Sequence, residues 1–185
     1  MSQADRQRWE QRYADPADSL KKTGPHSVLA RHAPSCQPGC RALELACGLG
    51  RDALWLAEQG WRVEALDISL TALIQARAEM VRRKLSGVHF VVADLDHFPL
   101  PRHEYDLVYV FRFLDRRLFP AIAERVRPGG LVIYETLNIH WLKSHPDTRP
   151  DHMLQLGELP GYFPGWTVIE SSDGGVMSTF VGRRP

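Results

Sequence analysis

The sequence predicts an α/β protein built on a mostly parallel sheet, and three observations predict it. From Arg41 onward, short apolar runs rich in β-branched residues alternate with longer helical stretches, as in repeated strand–helix–strand units. Those runs carry few polar interruptions, which suits strands covered on both faces. Near the end the character changes: Trp166 to Glu170 and Val176 to Val181 flank Ser171-Ser172-Asp173-Gly174-Gly175 and read as an antiparallel hairpin. The expected fold is a three-layer sandwich around a seven-stranded sheet, mostly parallel and completed by a C-terminal antiparallel hairpin.

Each element has its own signal. Arg41 to Leu45 (RALEL) reads as the first strand and Asp52 to Gln59 as a helix ended by Gly60. Trp61 to Asp67 is the second strand, and Ser69 opens a helix running to about Lys84. Val88 to Ala93 and Tyr105 to Phe111 are the third and fourth strands. A helix from about Asp115 to Val126 is expected to stop at Pro128-Gly129-Gly130, and Leu131 to Thr136 makes the fifth strand. Residues 1–40 hold two short helices and a loop broken by Pro25, Pro34, Pro38 and Gly39. The expected organisation is therefore one domain over residues 1–185, with 1–40 as an N-terminal helical cap and 41–185 as the core.

Composition narrows the function. Lysine and arginine number 23 against 22 acidic residues, so the net charge of +1 gives no field that argues for nucleic acid or another polyanion. The N-terminus lacks the apolar core of a signal peptide, and no apolar run approaches the roughly 20 residues of a membrane span. A soluble cytoplasmic protein is expected, with no membrane partner. Cys36, Cys40 and Cys47 are too few for a disulfide framework, and no second ligand pair follows Cys36 and Cys40 to complete a zinc site. Those two are expected to be loop thiols, and no metal is expected.

The most informative stretch is Leu43 to Leu56 (LELACGLGRDALWL), where a strand ends in a glycine turn and hands over to a helix. Ligands of parallel sheets bind where strands end and helix N-termini point. Gly48 and Gly50 allow close backbone approach, although such a turn is often only a turn. Asp67 closes the second strand about 20 residues later, the distance at which a carboxylate takes the hydroxyls of a cofactor ribose. Asp94 and Leu95 follow the third strand, where a carboxylate can accept from an adenine amine while the leucine packs on the ring. Each aspartate could instead cap a helix. Glu44 is a charge inside an apolar strand, which needs an arginine or a cationic ligand as partner.

Four segments in order, Glu44 to Gly50 (ELACGLG), Ala65 to Ser69 (ALDIS), Ala93 to Leu95 (ADL) and Arg127 to Gly130 (RPGG), resemble the consecutive motifs of class I S-adenosylmethionine-dependent methyltransferases. Trp9, Tyr13, the helix start at Gly50 to Ala53 and the run Phe111 to Leu114 (FRFL) look similar to small bacterial tellurite-resistance methyltransferases. The resemblance implies a Rossmann-like core with S-adenosylmethionine as cofactor. It places Ala46, Cys47, Gly48 and Gly50 beside the methionine part, with Glu44 organising the loop. It gives Asp67 the ribose, Ile68 and Leu95 the adenine faces, and Asp94 the adenine edge, with Phe111 nearby. Ala46 departs from the family by replacing its first glycine, which could crowd the loop. Asn138 to Gly165, where the acceptor pocket is usually built, also departs from the tellurite enzymes.

Methyl transfer from a sulfonium asks the protein chiefly to align donor and acceptor and to exclude water. The methyl group is expected to face the end of the fourth strand and the cap. Arg112 and Tyr13 are thus candidates at the reacting centre, and Trp9, Tyr13, Arg112 and Phe113 candidates for binding a small-molecule acceptor. His140 and His145 sit after the fifth strand, where solvated loop histidines are the simpler expectation. Two rivals stand: an NAD(P)-dependent oxidoreductase, because Gly48 to Ala53 also fits the dinucleotide fingerprint, and a non-catalytic S-adenosylmethionine-binding protein.

Overall fold

Ala42 and Leu43, consecutive residues that point to opposite faces of β1 (Arg41–Leu45), are both buried, as is Leu45, which is why the strand needs a mostly apolar run. The computed structural model describes residues 3–15 and 24–185. The chain groups into two compact units, Met1–Leu100 and Pro101–Pro185.

In the first unit, α1 (Gln3–Ala14) and α2 (Ser27–His32) precede β1, followed by α3 (Arg51–Glu58), β2 (Arg62–Asp67), α4 (Leu70–Arg82) and β3 (Val88–Val92). β2 lies between β1 and β3, parallel to both, with Glu44 level with Ala65 and Asp67 level with Val92. The C-terminal ends of β1, β2 and β3 therefore share one edge. α3 buries Ala53, Leu54 and Leu56, and α4 buries Ala72, Leu73 and Ala76. Ser69 caps α4 by accepting from the Ala72 N–H at 3.1 Å, as its position before the apolar run implies.

The second unit contains β4 (Tyr105–Phe111), α5 (Phe119–Arg125), β5 (Val126–Leu137), β6 (Thr167–Ser172) and β7 (Met177–Arg183). β4 and β5 are parallel, while β7 runs antiparallel to both β5 and β6, the expected hairpin. Its core is aromatic: Tyr109, Phe119, Tyr134 and Phe180 are essentially inaccessible, and Phe119 stacks on Tyr162 with centroids 3.9 Å apart. The seven strands form the mixed sheet of a Rossmann-like fold. No described helix is long and apolar enough to cross a membrane.

Three expectations need correction. Cys36 and Cys40 are joined as a disulfide, not left as two thiols; a four-residue separation lets the turn at Pro38 and Gly39 bring them together. The helix expected over 115–126 is a short 3-10 turn at Arg116–Leu118 followed by α5 from Phe119. Pro120, which lacks an N–H, is tolerated in the first turn of a helix, so α5 starts there. Pro128-Gly129-Gly130 does not precede the fifth strand but lies within it. Val126 pairs with Tyr105, the register then shifts, and Arg184 exchanges backbone hydrogen bonds with Gly129 and Gly130 at 2.9 Å.

Candidate active site

The site in the first unit is built on the turn that follows β1. Ala46, Gly48 and Gly50 all have positive φ, 56°, 54° and 64°. The Cys47 N–H bonds to the Leu66 carbonyl at 3.0 Å and the Gly50 N–H to the Cys47 carbonyl at 2.9 Å, which ties the turn to β2 and closes it. Gly50 then caps α3 in the left-handed conformation. A methyl group on Gly48 would stand 2.5 Å from the Tyr13 hydroxyl, and one on Gly50 2.7 Å from the Phe90 ring. Both positions need the close approach that only glycine permits.

Asp67, at the end of β2, locks this turn to the next helix. Its Oδ2 accepts from the Gly48 N–H at 2.7 Å and its Oδ1 from the Ser69 N–H at 2.9 Å. Burial pushes its carboxyl up, while the hydrogen bonds from Ser69 and Gly48 pull the other way. Glu44 is buried on β1. Burial first, then the charges of Glu44 and Asp67, hold the Cys47 thiol well above its ordinary range, with Asp52 contributing in the same direction. Cys47 is therefore a neutral thiol and no nucleophile.

The end of β3 joins the same edge through the Ala93 N–H, which donates to the Asp67 carbonyl at 2.8 Å. Ile68 and Leu95 are both buried. Asp94 accepts from the Asp96 N–H at 3.1 Å and lies 3.3 Å from His97 Nδ1. Burial acts to raise its carboxyl, but the hydrogen bonds it accepts, that from the Asp96 N–H first, help to outweigh it and the net shift is downward, so it stays ionised. From α1, Tyr13 meets the glycine turn, and Trp9 stacks on Tyr13 at 5.9 Å, with the Arg12 guanidinium 5.1 Å from the Trp9 ring. The structure thus brings Tyr13, Glu44, Ala46, Cys47, Gly48, Gly50, Asp67, Ile68, Asp94 and Leu95 into one unit.

Phe111, Arg112 and Phe113 belong to the second unit. Phe111 is buried at the end of β4, and Arg112 follows it with an exposed side chain, φ of 56° and its N–H on the Glu135 carbonyl at 2.8 Å. Phe113 fixes its carbonyl on the Tyr134 hydroxyl at 2.8 Å. His140 and His145 are more engaged than solvated loop residues: His140 Nδ1 lies 3.0 Å from the Gly175 carbonyl, and His145 stacks on Trp141 with centroids 3.7 Å apart.

Two polar groupings in the first unit went unread in the sequence. Asp52, buried in the first turn of α3, accepts from the His26 N–H at 2.7 Å and stands 2.8 Å from His26 Nδ1. An aspartate in a helix's first turn was a visible signal, but its partner was not. Glu10 on α1 reaches the start of α4, about 60 residues away, and no local pattern marks it.

An adenosyl cofactor fits these residues. Gly48 and Gly50 let Tyr13 and Phe90 approach the turn closely, and the buried Asp67 carboxyl stands beside it at the end of β2. Residues 42–130 match the family described as a methyltransferase domain. The chain is 33% identical over 103 residues to a malonyl-[acyl-carrier protein] O-methyltransferase of Enterobacter lignolyticus, covering 52% of this chain and 39% of that protein. It thus spans about two fifths of the length of the curated relatives it matches. Its fold is that of TehB from Haemophilus influenzae, with a TM-score of 0.75 and 16% identity over 96% of this chain and 67% of that one. A TehB-like SAM-dependent methyltransferase of Corynebacterium glutamicum gives a TM-score of 0.69 at 15% identity over 100% of both chains. The match to a methyltransferase domain covers residues 42–130, which include Glu44, Asp67 and Asp94, and supports a class I S-adenosylmethionine-dependent methyltransferase.

Proposed function

We propose that this chain is a cytoplasmic enzyme that transfers a methyl group from S-adenosylmethionine to a small-molecule acceptor by in-line displacement. The observation that carries this reading is the Gly48 N–H held on Asp67 Oδ2 at 2.7 Å. In a dinucleotide-binding fold, amides of this turn face a pyrophosphate. Here that amide is engaged by a carboxylate, and Glu44, Asp52 and Asp67 surround the turn with negative charge. Such surroundings repel phosphate and favour a cation, which supports the methyl donor over NAD(P).

Bound S-adenosylmethionine supplies a methyl group on positively charged sulfur with a neutral thioether as leaving group. In this reading Asp67 holds the ribose hydroxyls with the lone pairs left on its two oxygens. Asp94 accepts from the adenine amine, and Ile68 and Leu95 bound the ring. Glu44 and the turn from Ala46 to Gly50 hold the methionine part, and Tyr13 excludes water above Gly48. Phe111, Arg112 and Phe113 serve the acceptor side, with the Arg112 guanidinium holding an anionic acceptor. A thiolate or chalcogen oxyanion needs no base, whereas an amine or hydroxyl requires a proton acceptor. The named activity of the Enterobacter relative adds a malonyl-[acyl-carrier protein] to the acceptors worth assaying.

The test is a panel of thiols, chalcogen oxyanions, carboxylates and small amines, assayed on the natural sequence and on Arg112→Ala. Turnover of an anionic acceptor is expected to fall at least about tenfold in kcat/KM, as loss of a charge-assisted hydrogen bond of about 1.5–3 kcal/mol implies, with cofactor affinity unchanged. Equal loss of both would remove Arg112 from the acceptor site. Tight cofactor binding without turnover of any acceptor would favour a binding protein.

A further inference from the structure

Helix α1 has little to bury: of its twelve residues (QADRQRWEQRYA), only Trp9 and Tyr13 are large and apolar. An isolated helix of that length is marginal in water, so its place depends on a few polar contacts. Glu10 supplies them. One oxygen of its carboxylate accepts from the Leu70 N–H at 2.8 Å, and the other from the Ser69 hydroxyl at 2.9 Å and the Thr71 N–H at 3.0 Å. Leu70 and Thr71 are the first two residues of α4, whose N–H groups have no partner within the helix and whose dipole favours an anion. One turn further along α1, Gln75 Nε2 donates to the Tyr13 carbonyl at 2.6 Å.

These contacts close a ring. Glu10 holds the Ser69 hydroxyl; the Ser69 N–H holds Asp67; Asp67 holds the Gly48 N–H; and Tyr13, one turn after Glu10, stands over Gly48. We infer that Glu10 is a positioning residue for methyl transfer: by clasping the N-terminus of α4 it holds α1 over the glycine turn and keeps Tyr13 against the cofactor. The inference rests on the assignment of Gly48 and Asp67 to the adenosyl cofactor. Cofactor exchange then requires the clasp to open, because Tyr13 covers the turn while it is closed. The carboxyl of Glu10 lies below its ordinary value; burial acts to raise it, and the hydrogen bonds from Thr71, Ser69 and Leu70 outweigh that, so the clasp closes on an ionised group.

The test uses the full chain with Glu10→Ala and Glu10→Gln, and S-adenosylhomocysteine as the probe. Three quantities are measured: its dissociation rate, the rate of tryptic cleavage after Arg8 and Arg12, and the urea midpoint of unfolding. In Glu10→Ala, ligand dissociation is expected to quicken about tenfold or more, since several charge-assisted hydrogen bonds are lost, and α1 is expected to be cut faster while the midpoint hardly moves. In Glu10→Gln, whose amide oxygen still accepts, both effects are expected to be partial. Ligand is expected to slow cleavage of α1 in the natural sequence and not in Glu10→Ala. Unchanged dissociation and cleavage in Glu10→Ala would overturn the inference, as would faster dissociation with α1 still protected. Failure of the natural sequence to bind the probe would overturn the cofactor assignment instead; the cleavage rates without ligand would still score the clasp.

Discussion

Ala46 shows what a single residue conceals in a sequence. Its replacement of the family's glycine reads as a matter of bulk, but its φ of 56° adds a cost of another kind, a left-handed backbone that a Cβ disfavours by about 1–2 kcal/mol. Glycine relieves that strain but loses about 0.4–1 kcal/mol through the freer unfolded chain. Ala46→Gly is therefore expected to stabilise the protein by about 0.5–1 kcal/mol, read as a raised urea midpoint with an unchanged slope. A lowered midpoint would show that the methyl group packs usefully. Arg112 shares the same backbone conformation at the exposed end of β4, and residues held so cluster at functional sites. The place of Asp67 at the end of β2, beside the glycine turn, was legible because spacing and strand end both marked it. Glu10 and His26 were not, because each acts only through a partner from a distant segment.

At the scale of elements, β3 and α4 both meet Gly50 at the start of α3. A methyl group there would lie 2.7 Å from Phe90 of β3 and 3.2 Å from Ala76 of α4, with φ already at 64°. Gly50→Ala is expected to cost about 2–4 kcal/mol, overpacking and left-handed strain together, in contrast to the gain at Ala46. A midpoint equal to that of the natural sequence would mean that β3 and α4 yield easily. The strands were legible because β1, β2 and β4 are short, mostly apolar runs. The start of β5 was not, since Pro128, Gly129 and Gly130 signal a stop that pairing with Arg184 overrides. The segment before β6 was equally opaque. Arg116 fastens it through Glu158 at 2.6 and 2.9 Å and through the carbonyls of Asp151 and Met153 at 2.8 Å, contacts set by tertiary structure alone.

For the whole molecule, the alternation of strands and helices predicted the fold class, and the order of four short motifs predicted the cofactor. The acceptor has no such signature. A cofactor shared across a family constrains the glycine turn and the strand ends, whereas one fold hosts many acceptors through the loops that differ most. The gathering of Glu44, Asp52 and Asp67 around Cys47 could not be read from spacing either, because folding alone brings them together.

The most direct measurement is a calorimetric titration of cofactor-free protein with S-adenosylmethionine, S-adenosylhomocysteine and NADH, on the natural sequence and on Asp67→Ala, each first shown to be folded by its unfolding midpoint. Both adenosyl compounds are expected to bind with dissociation constants of about 1–100 μM, NADH not to bind, and the folded Asp67→Ala protein to lose at least about tenfold in affinity for the adenosyl pair. Binding of NADH alone, or adenosyl binding indifferent to Asp67, would contradict the assignment of this site to S-adenosylmethionine.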